Sequence, residues 1–185
     1  DSGNLAGHLL TLRPGLAALP EQPILAARWL DGLDDTFRAF LHAAPRTASV
    51  ALLRLQQQLE AAQSERPATL QATRQVLAGL TASAAQLVAS LEEKSGHESA
   101  FWALALYRQC RDALDELNFL APPSALPEAS AIPTLRELAA QGLANAVDRV
   151  EQIAQLARQA GDMARMDYGF LYDEVRHLLA IGYNV

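Results

Sequence analysis

Hydrophobic residues recur every three or four positions along most of this chain, the spacing that places side chains on one face of an α-helix. The first run, around 5–12, predicts a short helix that Pro14-Gly15 interrupts. A second, amphipathic helix is predicted over 24–42, and Leu52, Leu55 and Leu59 predict a third helix that ends near Ser64. The opening of the chain is therefore expected to be a helix, a loop and two further helices.

A seven-residue repeat marks the fourth predicted helix, which follows Pro67. Its apolar positions alternate three- and four-residue steps, as in a coiled-coil seam: Leu70, Leu77, Leu80, Ala84, Leu87 and Leu91. Ser95 and Glu98 have the spacing of a capping box and predict the start of a fifth helix. Repeated prolines over 121–127 should end that helix and provide the best internal boundary.

The last helical pattern begins at a second capping-box signature, Thr134 with Glu137. Apolar residues then continue at helical spacing, which predicts one long helix to about Gln159. The fold class predicted is all-α, an antiparallel bundle of about five or six helices. We divide the chain into an N-terminal helix and loop at 1–20, a bundle segment at 21–161 and a distinct segment at 162–185.

Composition narrows the classes of function. The net charge of −6 and the absence of a Lys/Arg cluster argue against a nucleic-acid partner. No apolar run reaches the length of about 18 residues that a membrane span needs, so this piece is expected to be soluble. Four scattered histidines and a single cysteine lack the spacing of a metal site, and no glycine-rich phosphate loop is present. We therefore expect no metal and no cofactor in this segment.

The two ends of the chain share motifs with one enzyme family. The stretch DSGNLAGHL at 1–9, and MDYGFLYD at 166–173 followed by IGYNV at 181–185, resemble segments of cyclic β-1,2-glucan synthases. The resemblance covers about thirty residues and leaves the helical middle unassigned. Tyr168, Glu174 and the pair Leu179-Ala180 depart from the family pattern, which puts the exact subfamily in doubt.

The resemblance implies a larger parent protein. The ends of the chain favour the same expectation, because it has no initiator Met and stops inside an apolar segment. Such a parent is a multi-pass inner-membrane enzyme that builds β-1,2-glucan from UDP-glucose and closes the ring by transglycosylation. This chain would then lie on the cytoplasmic side, contribute helices to an (α/α) barrel, and bind a β-1,2-glucan chain and neighbouring domains. By itself it is expected to be inactive.

Seven residues in or beside the motifs are candidates for contact with a sugar: Asp1, Ser2, Asn4, Asp167, Asp173, Tyr183 and Asn184. Their carboxylates, amides, hydroxyl and aromatic ring are the groups that sugar sites use. Carboxylates at helix ends and loops also serve as caps, and Asp-Ser-Gly-Asn is common where helices begin. A retaining transfer would need two carboxyl groups about 5 Å apart. The sequence does not identify that catalytic pair.

Two hypotheses from different classes follow. In the first, the chain belongs to a carbohydrate-active transferase and supports glucan transglycosylation through residues near its two ends. In the second, it is a non-catalytic helical spacer or docking module, whose heptad face holds neighbouring domains. The first requires both ends to line one sugar-binding cleft, and the second does not.

Overall fold

The protein was analysed as a computed structural model, which describes residues 2–44, 49–91, 97–127, 129–165, 169 and 172–179. Seven α-helices lie in these ranges, so the all-α prediction is confirmed. They are α1 (Ser2–Ala18), α2 (Trp29–Ala43), α3 (Val50–Glu65), α4 (Leu70–Ser90), α5 (His97–Leu120), α6 (Leu135–Ala140) and α7 (Ala144–Met163). A 3-10 turn at Leu19–Glu21 and a short hairpin, β1 (Tyr172–Asp173) with β2 (Leu178–Leu179), complete the described elements.

The chain divides into two compact units. Unit 2 is continuous, Pro20–Val150, and unit 1 combines Asp1–Leu19 with Glu151–Val185. Helix α7 begins in unit 2 and continues into unit 1. The bundle segment was predicted at 21–161, so unit 2 begins one residue earlier and ends eleven residues earlier than predicted. Unit 1 combines the two segments that carry the family-like motifs.

Unit 2 is built around a four-helix bundle. Its helices contact one another in a closed ring, α2 with α3, α3 with α4, α4 with α5 and α5 with α2. The four-residue connection 66–69 requires α3 and α4 to run antiparallel. Five of the six heptad positions predicted for α4 form the centre of the core, each at most 2% exposed: Leu70, Leu77, Leu80, Ala84 and Leu87. The sixth, Leu91, follows the end of the helix and is half-buried.

Three helix starts in unit 2 are capped by hydroxyl side chains. Ser49 accepts a hydrogen bond from the N–H of Leu52, and Thr69 accepts one from Ala72, both at 3.1 Å. Thr134 forms the predicted capping box, because its hydroxyl accepts from the Glu137 N–H at 3.1 Å while the Glu137 carboxylate accepts from the Thr134 N–H at 2.8 Å. The other predicted capping box depends on Ser95, which lies outside the described residues.

The prediction that Pro14-Gly15 interrupts the first helix is wrong. Helix α1 continues through Pro14 to Ala18. Proline removes one backbone donor and crowds the preceding turn, but its φ is compatible with helix. Because Pro14 and its neighbours lie on an exposed helix, solvent can satisfy the carbonyl that the proline leaves free.

The predicted start of the second helix at Ile24 is also wrong, since α2 begins at Trp29. The N–H of Ile24 donates instead to the carbonyl of Pro133 at 2.9 Å, and Pro23 forms an isolated antiparallel bridge with Thr134. Residues that the apolar spacing assigned to a helix thus form backbone pairs with a distant segment of the chain.

The long sixth helix predicted to reach Gln159 is broken into α6 and α7. Gly142 has φ +80, and its N–H donates to Ala139 while the Leu143 N–H donates to Leu138. This pair of bonds is a Schellman motif, in which a left-handed residue ends the helix. Gly142 was the available sequence signal, because glycine adopts this conformation without a Cβ penalty.

Candidate functional site

The predicted sugar-contacting residues are only partly described by the structure. Asp1, Asp167, Tyr183 and Asn184 lie outside the described residues. Ser2 begins α1, and Asn4 stands exposed in the first turn of the same helix. Asp173 lies in the hairpin, where it is half-buried. The cleft predicted between the two ends of the chain therefore remains a prediction.

Asp173 has a structural task in the hairpin turn. Its Oδ1 accepts hydrogen bonds from the N–H groups of Val175 and Arg176, at 2.9 and 3.1 Å. Its Oδ2 lies 3.8 Å from the guanidinium of Arg176. One carboxylate oxygen thus closes an Asx-type turn, the capping role weighed against sugar contact from the sequence. The other oxygen, Oδ2, is the atom of this side chain that could accept a hydrogen bond from a sugar hydroxyl.

The same hairpin carries a tyrosine–histidine contact. The hydroxyl of Tyr172 and Nδ1 of His177 are 3.0 Å apart, and the two ring centroids are 6.4 Å apart. His177 has φ +51, a left-handed conformation that is uncommon without glycine. The contact fixes both side chains at an exposed turn. The sequence analysis did not select either residue. A separation of five residues does not indicate contact between two side chains until the hairpin register, Tyr172 with Leu179, is known.

A groove of about 530 Å³ lies between α3 and α4 in unit 2. Its walls are mostly small or apolar, including Ala61, Ala72 and Val76, and Glu65 and Arg66 stand at one end. Gln58 also lines it, with an Oε1 that is buried and has no hydrogen-bond partner among the described atoms. The volume is in the range of small-molecule sites, and the polar groups are few.

Arg66 gives this end of the groove an unusual backbone. It caps α3 with φ 43 and ψ 89, and its N–H donates to the Ala62 carbonyl at 3.0 Å. A non-glycine residue in the left-handed region directly before Pro67 is energetically costly. The same two residues line a smaller cavity of about 140 Å³ beside Trp29 and Asp31. Arg66 thus separates two depressions on one face of unit 2.

The described side chains offer little nucleophilic or metal chemistry. Cys110 is 1% exposed, and burial raises the pKa of its thiol to about 12, so the reactive thiolate is suppressed at neutral pH. Within the described ranges, no group of three or more His, Cys, Asp and Glu side chains is placed to hold a metal ion. The expectation that this segment needs no cofactor stays a prediction.

Three comparisons address the identity of the chain. Searches against models of protein families, against curated proteins and against solved structures each found no match. Of the helices that the structure describes, none combines the length and the hydrophobicity needed to cross a lipid bilayer.

Proposed function

We propose that this chain is a helical part of a protein similar to cyclic β-1,2-glucan synthases and supports glucan transglycosylation in that parent. The observation that carries the proposal is the composition of unit 1. It brings 1–19 and 151–185, the two segments with family-like motifs, into one compact unit although the 131 residues of unit 2 separate them in sequence. One sugar-binding wall built from both ends requires this grouping.

The surface of α1 favours a role inside a larger helical assembly. Leu5, Leu10 and Leu12 are each at least 50% exposed, while the buried residue of the same helix is Ala6. An (α/α) barrel surrounds each helix with neighbours that would cover such leucines. Their exposure supports the proposal that further barrel helices pack against unit 1.

The proposal assigns sugar binding, not bond cleavage, to the described residues. Asn4 offers an exposed amide that can both donate to and accept from sugar hydroxyls. Asp173 holds the hairpin turn through Oδ1 and keeps Oδ2 for one further contact. A carboxylate committed to two backbone N–H groups is suited to positioning. The acid/base pair of a retaining transfer is not assigned to any of the described residues.

Calorimetric titration of this chain with a linear β-1,2-glucan oligosaccharide tests the proposal. We expect measurable binding that a β-1,4-linked oligosaccharide of equal length does not reproduce. Asn4→Ala should weaken it about three- to tenfold, the value of one or two hydrogen bonds. Gln152→Ala removes another exposed amide of unit 1 and is the matched control, with no change expected. Absence of heat with the β-1,2-glucan would remove the carbohydrate role.

The groove between α3 and α4 favours a second candidate, a helical docking module for neighbouring domains of the parent. The heptad seam of α4 is buried in its own bundle, so a docking surface must lie elsewhere on unit 2. The groove offers an apolar floor with Glu65 and Arg66 at its rim. Ala72→Glu would place a charge there. Loss of association between this chain and the rest of the parent, with unchanged glucan binding, would favour docking.

A further inference from the structure

Three arginine side chains surround one small cavity in unit 1. Arg13 comes from α1, and Arg158 and Arg165 come from α7 and the residues just after it. Gly161 and Asp162 complete the wall of this cavity, whose volume is about 220 Å³. We call these five residues the arginine cluster. None of the three arginines has a role in the proposed sugar contacts, and the sequence analysis did not select them.

The spacing along α7 explains how the cluster forms. Residues 158, 161 and 162 follow the i, i+3, i+4 pattern, which places them on one face of α7, and Arg165 follows two residues after the end of the helix. Gly161 is the one of these positions that has no side chain. A Cβ built on it would lie 3.1 to 3.3 Å from the Cδ, Nη1 and Nε atoms of Arg13. The missing side chain therefore lets the guanidinium group of Arg13 lie directly against the helix.

The cluster has an excess of positive charge on an acidic protein. It contains three guanidinium groups and one carboxylate, a local charge of +2, whereas the whole chain carries −6. Arg165 lies 4.0 Å from Asp162, and both side chains are more than 70% exposed, so this ion pair is weak. Among the described residues, Arg13 and Arg158 take part in no salt bridge. Three guanidinium groups held together with one weakly paired carboxylate favour a bound anion.

We propose that the arginine cluster binds a tetrahedral oxyanion with two negative charges, namely a phosphate group. A carboxylate has one charge and two oxygens, which a single guanidinium fork can satisfy. Three guanidinium groups, one from α1, one from α7 and one from just after α7, can together bind an anion with three or more acceptor oxygens and a charge of −2. Arginine is suited to this task because its donors are planar and remain charged. The cavity is open, so the phosphate can be free or the end of a monoester.

Titrations with inorganic phosphate and with methyl phosphate test this site in the whole chain. Two-dimensional NMR of the arginine Nε–H groups reports which side chains respond, with ionic strength held constant. We expect shifts at Arg13, Arg158 and Arg165, and much weaker responses to acetate. Equal affinity for both phosphates would show recognition of the phosphoryl group alone, and tighter binding of methyl phosphate would identify a monoester site.

Variants separate a specific site from general charge. Arg13→Gln and Arg158→Gln should each weaken phosphate binding about three- to tenfold, since each removes a charged hydrogen-bond donor at an exposed position. Arg108→Gln makes the same charge change on an exposed part of α5 and should leave the affinity unchanged. Gly161→Ala keeps every charge but displaces Arg13, so it should also weaken binding. Equal affinities in all variants, or acetate binding as tight as phosphate, would overturn the proposal. Neither result depends on whether the chain binds glucan.

Discussion

The two units of this protein bury different kinds of side chain. In unit 2 the fully buried residues include large ones, with Phe40, Leu55, Leu77 and Leu117 at most 1% exposed. In unit 1 the buried apolar residues among those described are alanines, Ala6, Ala157, Ala160 and Ala164, while leucines of α1 are about half exposed. Burial of apolar area is the main stabilising contribution to a fold. Unit 2 therefore carries its own core, whereas most of the large apolar side chains whose burial the structure describes in unit 1 are in contact with solvent.

The difference teaches that one helical pattern can serve two purposes. Apolar residues of α4 recur with the spacing that the bundle uses, and every heptad position from Leu70 to Leu87 is buried. The leucines of α1 follow a similar spacing, since Leu5, Leu9, Leu12 and Leu16 lie on one face of the helix, yet Leu5 and Leu12 are each 50% exposed. We interpret this face of α1 as a surface that a neighbour outside the described residues covers, in agreement with the barrel role proposed for unit 1.

The largest effect that can test this contrast is the loss of a leucine from each unit. Leu77→Ala should lower the free energy of unfolding by about 3–5 kcal/mol, since it leaves a cavity in the bundle core. Leu10→Ala, at a position that is 58% exposed, should change it by less than about 1 kcal/mol. Urea unfolding followed by circular dichroism measures both. Comparable losses would show that α1 has a core of its own, contrary to the exposures.

A pH-dependent test addresses the bundle core at Cys110. Burial raises the pKa of this thiol from 9.0 to about 12, so above pH 9 the unfolded chain loses a proton that the folded chain keeps. Ionisation then favours the unfolded state, and stability falls as the pH rises. Relative to Cys110→Ala, the wild type should lose stability between about pH 9 and pH 11 and show no relative change between pH 6 and pH 8. Parallel curves over the whole range would mean that the thiol is not buried in solution.

Much of unit 2 was predictable from local signals. The α4 seam and the capping box of Thr134 with Glu137 depend on spacings of seven residues or fewer, and the structure has both. The errors arose where a contact with a distant segment, or the backbone conformation of a single residue, determines where a helix begins or ends. Ile24 pairs with Pro133, more than a hundred positions away, and Gly142 ends α6 through a backbone conformation that apolar periodicity does not detect.

The candidate sites were harder to predict for a related reason. The turn role of Asp173 is local and was one of the alternatives weighed from the sequence. The arginine cluster was missed, although Arg158, Gly161 and Arg165 share a visible helical spacing. The remaining arginine of the cluster, Arg13, comes from a helix about 145 positions earlier in the chain. A site assembled across such a distance has no sequence pattern of its own, and the grouping of 1–19 with 151–185 was needed to find it.

A smaller effect is expected from Gly142 in unit 2. Gly142→Ala should lower the free energy of unfolding by about 1–2 kcal/mol, because a Cβ is unfavourable at φ +80. No atom lies within 4 Å of the added Cβ, so the loss would come from backbone conformation alone. Gly142→Asn tolerates the left-handed region better and should recover part of the loss. A larger loss for Gly142→Asn than for Gly142→Ala would indicate that side-chain size, and not φ, matters at this position.

The smallest expected effect is a gain, and it tests whether α1 is a helix in solution. Gly7→Ala should raise the stability of unit 1 by about 0.5–1 kcal/mol, because alanine restricts the unfolded chain and favours helix. The added Cβ meets nothing within 4 Å, so no clash offsets the gain. Amide hydrogen exchange is the appropriate measurement, since it separates protection in α1 from protection in the bundle. Slower exchange confined to 3–18 would support a helix that forms without help from large buried side chains. If exchange stays the same throughout that segment, α1 does not form in this chain by itself, and the contrast between the units becomes one between a folded bundle and an unfolded segment.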